Sequence, residues 1–193
     1  LSYFSFGVNY YLSGLDPSSF RGVNILFHAA SAVVLFLLLY RWFGYIPGRV
    51  RPPDRAWVAL AASALWALHP TSVSTVTYIV QRMNGGMALF FLVALHAATC
   101  GWEASTPSRR AAWYGAAFCA ILLSTGFKEI GATAPFVIFA AWATWKRGDA
   151  SLKALLSERK FLAAGTTLLA VGVLGFVAAV VYSYPTYAGT RDF

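Results

Sequence analysis

Polar and apolar positions alternate along this chain in long blocks rather than in the short strokes of a soluble fold. Apolar runs cover about 22–43, 56–69, 83–101, 111–127, 130–145 and 161–182. Most approach the roughly 20 residues a helix needs to cross a bilayer core of about 30 Å. Residues 1–14 are too short for that. Within them Ser2, Ser5, Asn9 and Ser13 recur at helical spacing, while Leu1, Phe4, Val8 and Tyr11 fall on another face. This pattern predicts an amphipathic helix lying in the membrane interface. Gly14 can end it, and Asp16-Pro17 supplies an N-cap and first-turn pair for the next helix.

Two blocks need a decision about length. The run from Ala56 meets His69-Pro70 after 14 residues, about 21 Å of helix and short of a full crossing. Either the stretch 71–80 completes the crossing beyond a proline kink, or it packs as a re-entrant piece. Residues 111–145 as one helix would measure roughly 50 Å, so they must form two spans. Ser124-Thr125-Gly126, Lys128-Glu129, Gly131 and Pro135 mark the break. The fold class expected is all-α: a polytopic membrane helix bundle of about six transmembrane helices plus the N-terminal interfacial helix.

Composition supports a lipid solvent. The chain is 59% hydrophobic and only 11% charged, with a mean hydropathy of +0.61, whereas soluble domains carry about a quarter charged residues. The net charge of +8 does not point to nucleic acid, because the basic residues lie in short stretches between apolar runs with no aromatic-interleaved basic face. Cys100 and Cys119 both sit inside apolar runs and read as small packing residues. With Leu at the first position, the chain reads as a segment of something longer.

Charge also sets a direction. With the loops assigned alternately to two sides, Arg41, Arg49, Arg51, Arg55, Arg109, Arg110, Lys146, Arg147, Lys153, Arg159 and Lys160 share one side. Arg21, Arg82, Lys128 and Arg191 share the other. Eleven of the 15 Lys and Arg thus fall together, and the positive-inside rule makes that side cytoplasmic. Both chain ends are then expected outside, periplasmic if the membrane is a bacterial inner membrane.

The same assignment gathers Asn24, His28, His69, Arg82, Lys128 and Glu129 near the non-cytoplasmic boundary. Polar groups at membrane depth are costly and mark functional sites more often than chance. Asn24 and His28 are four residues apart and share a helix face, where interhelical hydrogen bonding is the plain alternative. His69 ends a helix, where it can serve freed carbonyls. Lys128 and Glu129 point about 100° apart on a helix, so each seeks its own partner, Lys128 an anion. Arg82 by its fork and Lys128 as a point charge could together hold a phosphate. No metal-ligand spacing, phosphate-binding loop or nucleophile elbow occurs.

His69-Pro70 followed by Thr77-Tyr78-Ile79-Val80-Gln81-Arg82-Met83 resembles a segment of large bacterial membrane proteins that carry tetratricopeptide repeats. These are similar to the TMTC family of protein O-mannosyltransferases, which have the GT-C glycosyltransferase fold. Leu1-Ser2 through Asp16, running into Asn24 and His28, looks like the family's first external loop. Gly126-Phe127-Lys128-Glu129 with Pro135 looks like its Lys-Glu…Pro hairpin, and Tyr187-Ala188-Gly189 with Arg191-Asp192-Phe193 resembles a later stretch.

The resemblance implies sugar transfer from a polyprenyl-phosphate donor to a protein or glycan acceptor on the non-cytoplasmic face. It implies Lys128 and Arg82 as donor-phosphate ligands, with Glu129, His69, Asn24 and His28 shaping the site. The catalytic carboxylate is expected upstream of Leu1, and Ser74 stands where the family has Glu. No cofactor is implied beyond the lipid-linked sugar as substrate, and a divalent metal is left open. Expected partners are the bilayer, the lipid donor, and a protein acceptor or partner membrane subunits, with no nucleic acid. The competing class is a non-catalytic membrane scaffold built on a degenerate GT-C-like fold. A transporter would call for paired mid-membrane charges or internal repeats, and neither occurs.

Overall fold

The computed structural model describes residues 1–45 and 50–145, all within a compact unit spanning Leu1–Gly148. The span expected at 161–182 lies outside the described residues, as do Arg49, Lys146, Arg147, Lys153, Arg159, Lys160 and Arg191. Among the described residues every regular element is helical.

The chain opens with α1 (Ser2–Ser13), which stops at Gly14 with φ +62°, a conformation glycine adopts without cost. Helix α2 (Pro17–Trp42) starts as the sequence predicts: Asp16 Oδ1 accepts from the Ser18 amide at 3.0 Å, and Pro17 occupies the first turn. Helix α3 (Arg55–Ala67) has 13 residues, about 20 Å by helix rise. It does not run on past Pro70. A turn at Leu68–Thr71 leads to the six-residue α4 (Ser72–Thr77) and a 3-10 turn, Ile79–Gln81, which feeds α5 (Arg82–Glu103). Helix α6 (Pro107–Phe127) begins at a Thr106 cap and is followed by a 3-10 turn, Glu129–Thr133, and α7 (Ala134–Trp145). The predicted break between two hairpin helices therefore falls at Lys128.

Among the described residues, two helices are long and apolar enough to cross a membrane: Pro17–Tyr45 and Ile79–Glu103. The second is the central one, with ten of the 22 residues of α5 buried against four of 26 in α2. Its neighbours approach on small residues. Ala97 and Ala98 of α5 meet Ala117 of α6, with Trp102 and Ile138 packed around them. Small side chains let backbones come close, so dispersion contacts hold helices that water does not force together.

Polar side chains are buried beside a core made largely of alanines, while many large apolar side chains are exposed. Ser2, Asn9, Asn24, Ser31, Ser63, Arg82, Thr99 and Ser124 are buried, while Tyr11, Leu65, Leu68 and Trp57 stand exposed. Apolar surface on this scale needs a cover.

The contacts sort the chain into two ends. Trp42 Nε1 donates to Thr99 Oγ1 at 3.1 Å, and Arg41 and Tyr45 both reach Glu103. At the opposite end Asn24 meets residues 78–82, and Ser2 of α1 meets Phe127. Helices α2 and α5 therefore run parallel, with α3 and α4 carrying the chain back between them. Among the described residues, Arg41, Arg51, Arg55, Arg109 and Arg110 belong to one end, and Arg21, Arg82 and Lys128 to the other. This is the grouping the alternating loops predict.

Candidate functional site

The polar end is built around the first turn of α5. Arg82 is 1% exposed, and its guanidinium is held by protein on every side. Nε donates to Asn24 Oδ1 at 3.2 Å and Nη1 to the Ser5 carbonyl at 3.1 Å. Nη2 donates to Asn9 Oδ1 at 2.6 Å and to the Phe20 carbonyl at 3.0 Å. Four of the five guanidinium donors are thus spent. The Phe6 and Phe20 rings lie 4.7 and 5.3 Å from the guanidinium carbon, so each ring face also offsets the charge. No carboxylate pairs with it among the described residues.

Asn24, itself 2% exposed, is satisfied in both directions. Its amide donates to the Tyr78 carbonyl at 3.1 Å while its oxygen accepts from Arg82. His28, one turn further along the same face, bonds the Ala67 carbonyl through Nε2 at 2.9 Å and stacks on Trp66 with ring centroids 5.0 Å apart. A carbonyl only accepts, so the proton sits on Nε2. Asn24 and His28 thus share a face, yet each meets a different part of the returning chain. His28 satisfies a carbonyl that the end of α3 leaves open, and Ser72 Oγ covers the Trp66 carbonyl at 3.2 Å. His69 is exposed and turns back on Thr71, with Nδ1 accepting from its amide at 3.3 Å. Ser74 Oγ likewise closes a local turn onto the Thr71 carbonyl at 3.0 Å.

Lys128 occupies a different side of α5. Positions 82 and 84 differ by about 200° around a helix, so Asn84 points away from the Arg82 knot. Lys128 Nζ donates to Asn84 Oδ1 at 2.7 Å, and Asn84 donates in turn to Gln81 Oε1. Lys128 is half-buried with extended backbone (φ −157°, ψ 141°), and Glu129 beside it is exposed. This local shape depends on Gly131, whose added Cβ would lie 2.5 Å from the Ser124 backbone. Beyond the turn, Ile130 and Thr133 join Trp66, Met87, Phe91 and Leu35 around an apolar cleft of about 380 Å³.

Of the predicted residues, the structure joins Arg82 to Asn24. It leaves His28 with α3, His69 in its own turn, and Lys128 with Glu129 at the hairpin. Arg82 and Lys128, expected to hold a phosphate together, meet different protein partners. The Arg82 fork is turned inward onto protein acceptors, and α5 stands between the two cations. Sequence reasoning missed Gln81 and Asn84, which link the end of the Tyr78–Met83 motif to Lys128. Asn84 opening an otherwise apolar helix was the available signal. It also missed that the polar stripe of α1 faces Arg82, since Asn9 is 6% exposed and Ser2 4%.

A helical protein with a polar knot at one end, an apolar cleft between its helices and an apolar exterior defines a class: helix bundles suited to a bilayer. The comparisons narrow it. The chain is 35% identical over 107 residues to the protein O-mannosyl-transferase tmtc2 of Xenopus laevis, 53% of this chain and 12% of the relative. To human TMTC4 it is 35% identical over 98 residues, 49% of this chain and 13% of that protein. To human TMTC2 it is 33% identical over 135 residues, 67% of this chain and 14% of the relative. The chain is TMTC-like in sequence, and the matches span 12 to 14% of the length of these relatives. No family model and no solved structure matches it.

Proposed function

We propose that this chain is the membrane-embedded part of a glycosyltransferase of the GT-C type, with about six spans in the full arrangement. It transfers a sugar from a polyprenyl-phosphate donor to a hydroxyl acceptor on the non-cytoplasmic face. The names of the similar proteins support mannosyl transfer to protein. One observation carries the reading: the turn that follows the half-buried Lys128 sends Ile130 and Thr133 into the wall of an apolar cleft of about 380 Å³.

An amphipathic donor needs those two environments side by side. The cleft walls suit an isoprenoid chain. The ammonium of Lys128, held by Asn84, suits the phosphate that departs when the acceptor oxygen attacks the sugar carbon. Charge that grows on the leaving phosphate is met by a cation already in position, which costs no reorganisation during the reaction. A carboxylate takes the acceptor's proton, and the family resemblance puts that base upstream of Leu1. Glu129, exposed next to Lys128, shapes the acceptor side. Arg82 enters this reading only through the protein it holds.

The test uses the full-length protein in detergent or nanodiscs with a radiolabelled polyprenyl-phosphate mannose. Lys128→Met should lower transfer by about a hundredfold or more, the scale seen when one stabilising donor is removed, with folding retained. Unchanged turnover would end this reading. A second reading, a membrane scaffold, draws on Ser74, whose hydroxyl serves only a local turn where the resemblance expects Glu. It predicts partner binding that survives Lys128→Met and no transfer by any form.

A further inference from the structure

The Arg82 knot holds more than helices that would pack without it. Three of its six immediate neighbours come from α1: the Ser5 carbonyl, the Asn9 amide oxygen and the Phe6 ring. The others come from α2: Asn24, the Phe20 carbonyl and the Phe20 ring. A 12-residue helix is marginal by itself in water, and α1 presents Tyr3, Phe4, Tyr11 and Leu12 outward, each at least 72% exposed. Its inward face is polar: Asn9 also donates to Ser13 and Ser19, at 3.0 and 2.5 Å. The purchase of α1 on the bundle is therefore polar, and Arg82 is its centre.

Where α1 is seated matters for the hairpin. Ser2 Oγ donates to the Phe127 carbonyl at 2.7 Å. That acceptor belongs to the last turn of α6, whose carbonyls have no helical partner. Phe127 is the residue before Lys128. We propose that Arg82 is a positioning residue: it clamps α1 across the end of α6 and so fixes the turn from which Lys128 projects. The reach runs from Arg82 through Ser5, Phe6 and Asn9 to Ser2, then to Phe127 and Lys128. The role in transfer rests on the Lys128 reading given above, whereas the clamp itself does not.

The experiment separates the two. In full-length protein carrying Cys119→Ala, which removes this chain's exposed thiol, and with cysteines outside this chain replaced as well, Ser2→Cys is labelled with a membrane-impermeant maleimide. Ser2 is buried on Phe127, so labelling should be slow. Asn9→Ala removes one of the three contacts α1 makes with Arg82 and leaves Arg82 in place, so the clamp is weakened without a fold-wide collapse. Labelling should then quicken about tenfold or more, the scale of losing a hydrogen bond to a charged group. Asn9→Asp, which offers a carboxylate to the same Nη2, should restore protection. Arg82→Lys should not, because one ammonium cannot hold four acceptors in a fork.

Transfer is measured on the same set. Asn9→Ala should lower kcat severalfold and leave the donor KM within about twofold, since the donor's own ligands are untouched. If Ser2→Cys labelling does not respond to Asn9→Ala, the clamp is wrong whatever the activity. If labelling rises and kcat does not move, α1 is clamped but positions nothing, and the role assigned to Arg82 fails. If Lys128→Met keeps full turnover while labelling responds as expected, the reading of Lys128 falls and the clamp stands.

Discussion

The two ends of α5 handle arginine in opposite ways. At its start Arg82 is sealed from solvent and has only neutral partners: three backbone or amide oxygens from α1 and α2, the Asn24 oxygen, and two ring faces. At its end Arg41 pairs with Glu103, a full counter-charge, yet both side chains are about one third exposed, 37% and 35%. Tyr45 adds a hydrogen bond to the same carboxylate at 2.7 Å. The pair with the opposite charge is the weaker structural element, because solvent screens it and the side-chain entropy of ordering it offsets the gain. The knot without a counter-charge is the stronger one, because removing its centre strands four acceptors at once. Formal charge pairing is thus a poor guide to which arginine matters.

That contrast is most directly broken at Arg82. Arg82→Leu leaves Asn24, Asn9 and two carbonyls buried without their donor, and thermal unfolding in detergent should register a loss of about 3 kcal/mol or more. A loss within about 1 kcal/mol would mean that water or lipid headgroups replace the guanidinium, and the knot would be no stronger than the exposed pair.

Much of this was legible in the chain and some was not, for reasons that lie in specific residues. The helix start at Asp16-Pro17 and the stop at Gly14 are local, decided by one side chain and one dihedral, and they occur as the sequence predicts. The break between 111–127 and 130–145 follows from length alone. After His69-Pro70 the sequence admits two alternatives, a kinked crossing or a re-entrant piece. The geometry there depends on whether a distant residue can take the freed carbonyls, and here His28 takes one. Arg82 was legible as a costly polar residue near the boundary. Its direction was not, since a basic side chain in sequence carries no sign of whether its acceptors are ligand or protein. The polar stripe of α1 held that answer: Ser5 and Asn9 repeat at the spacing of a helix face, and the face turned out to look inward.

A mid-sized effect is expected at Gly131, on the Lys128 side of the same end. A side chain there would put its Cβ 2.5 Å from the Ser124 carbonyl carbon and from the Thr125 amide nitrogen. Backbone cannot yield as a flexible side chain can. Gly131→Val should destabilise by about 1–3 kcal/mol as overpacking does, and it should disturb the Lys128–Asn84 bond before it disturbs the Arg82 knot. Ser2→Cys labelling would separate the two: a rise equal to that of Asn9→Ala would show that the hairpin and the clamp move as one unit. Labelling unchanged beside a lowered melting temperature would show that they are independent.

The smallest effect belongs to Arg41. Arg41→Met keeps most of the apolar stem and deletes the charge that faces Glu103. Glu103 keeps Tyr45 as a donor and sits where water reaches it, so little is stranded. The expected change is about 0–1 kcal/mol, shrinking further as salt is raised, because screening already weakens a pair exposed to this degree. Running Arg41→Met and Arg82→Leu side by side at low and high salt tests the comparison itself. Only the Arg41 effect should depend on ionic strength, since the Arg82 guanidinium, at 1% exposure, is beyond the reach of counter-ions. A salt-sensitive Arg82→Leu would mean that ions enter the knot, and the distinction between the two ends of α5 would dissolve.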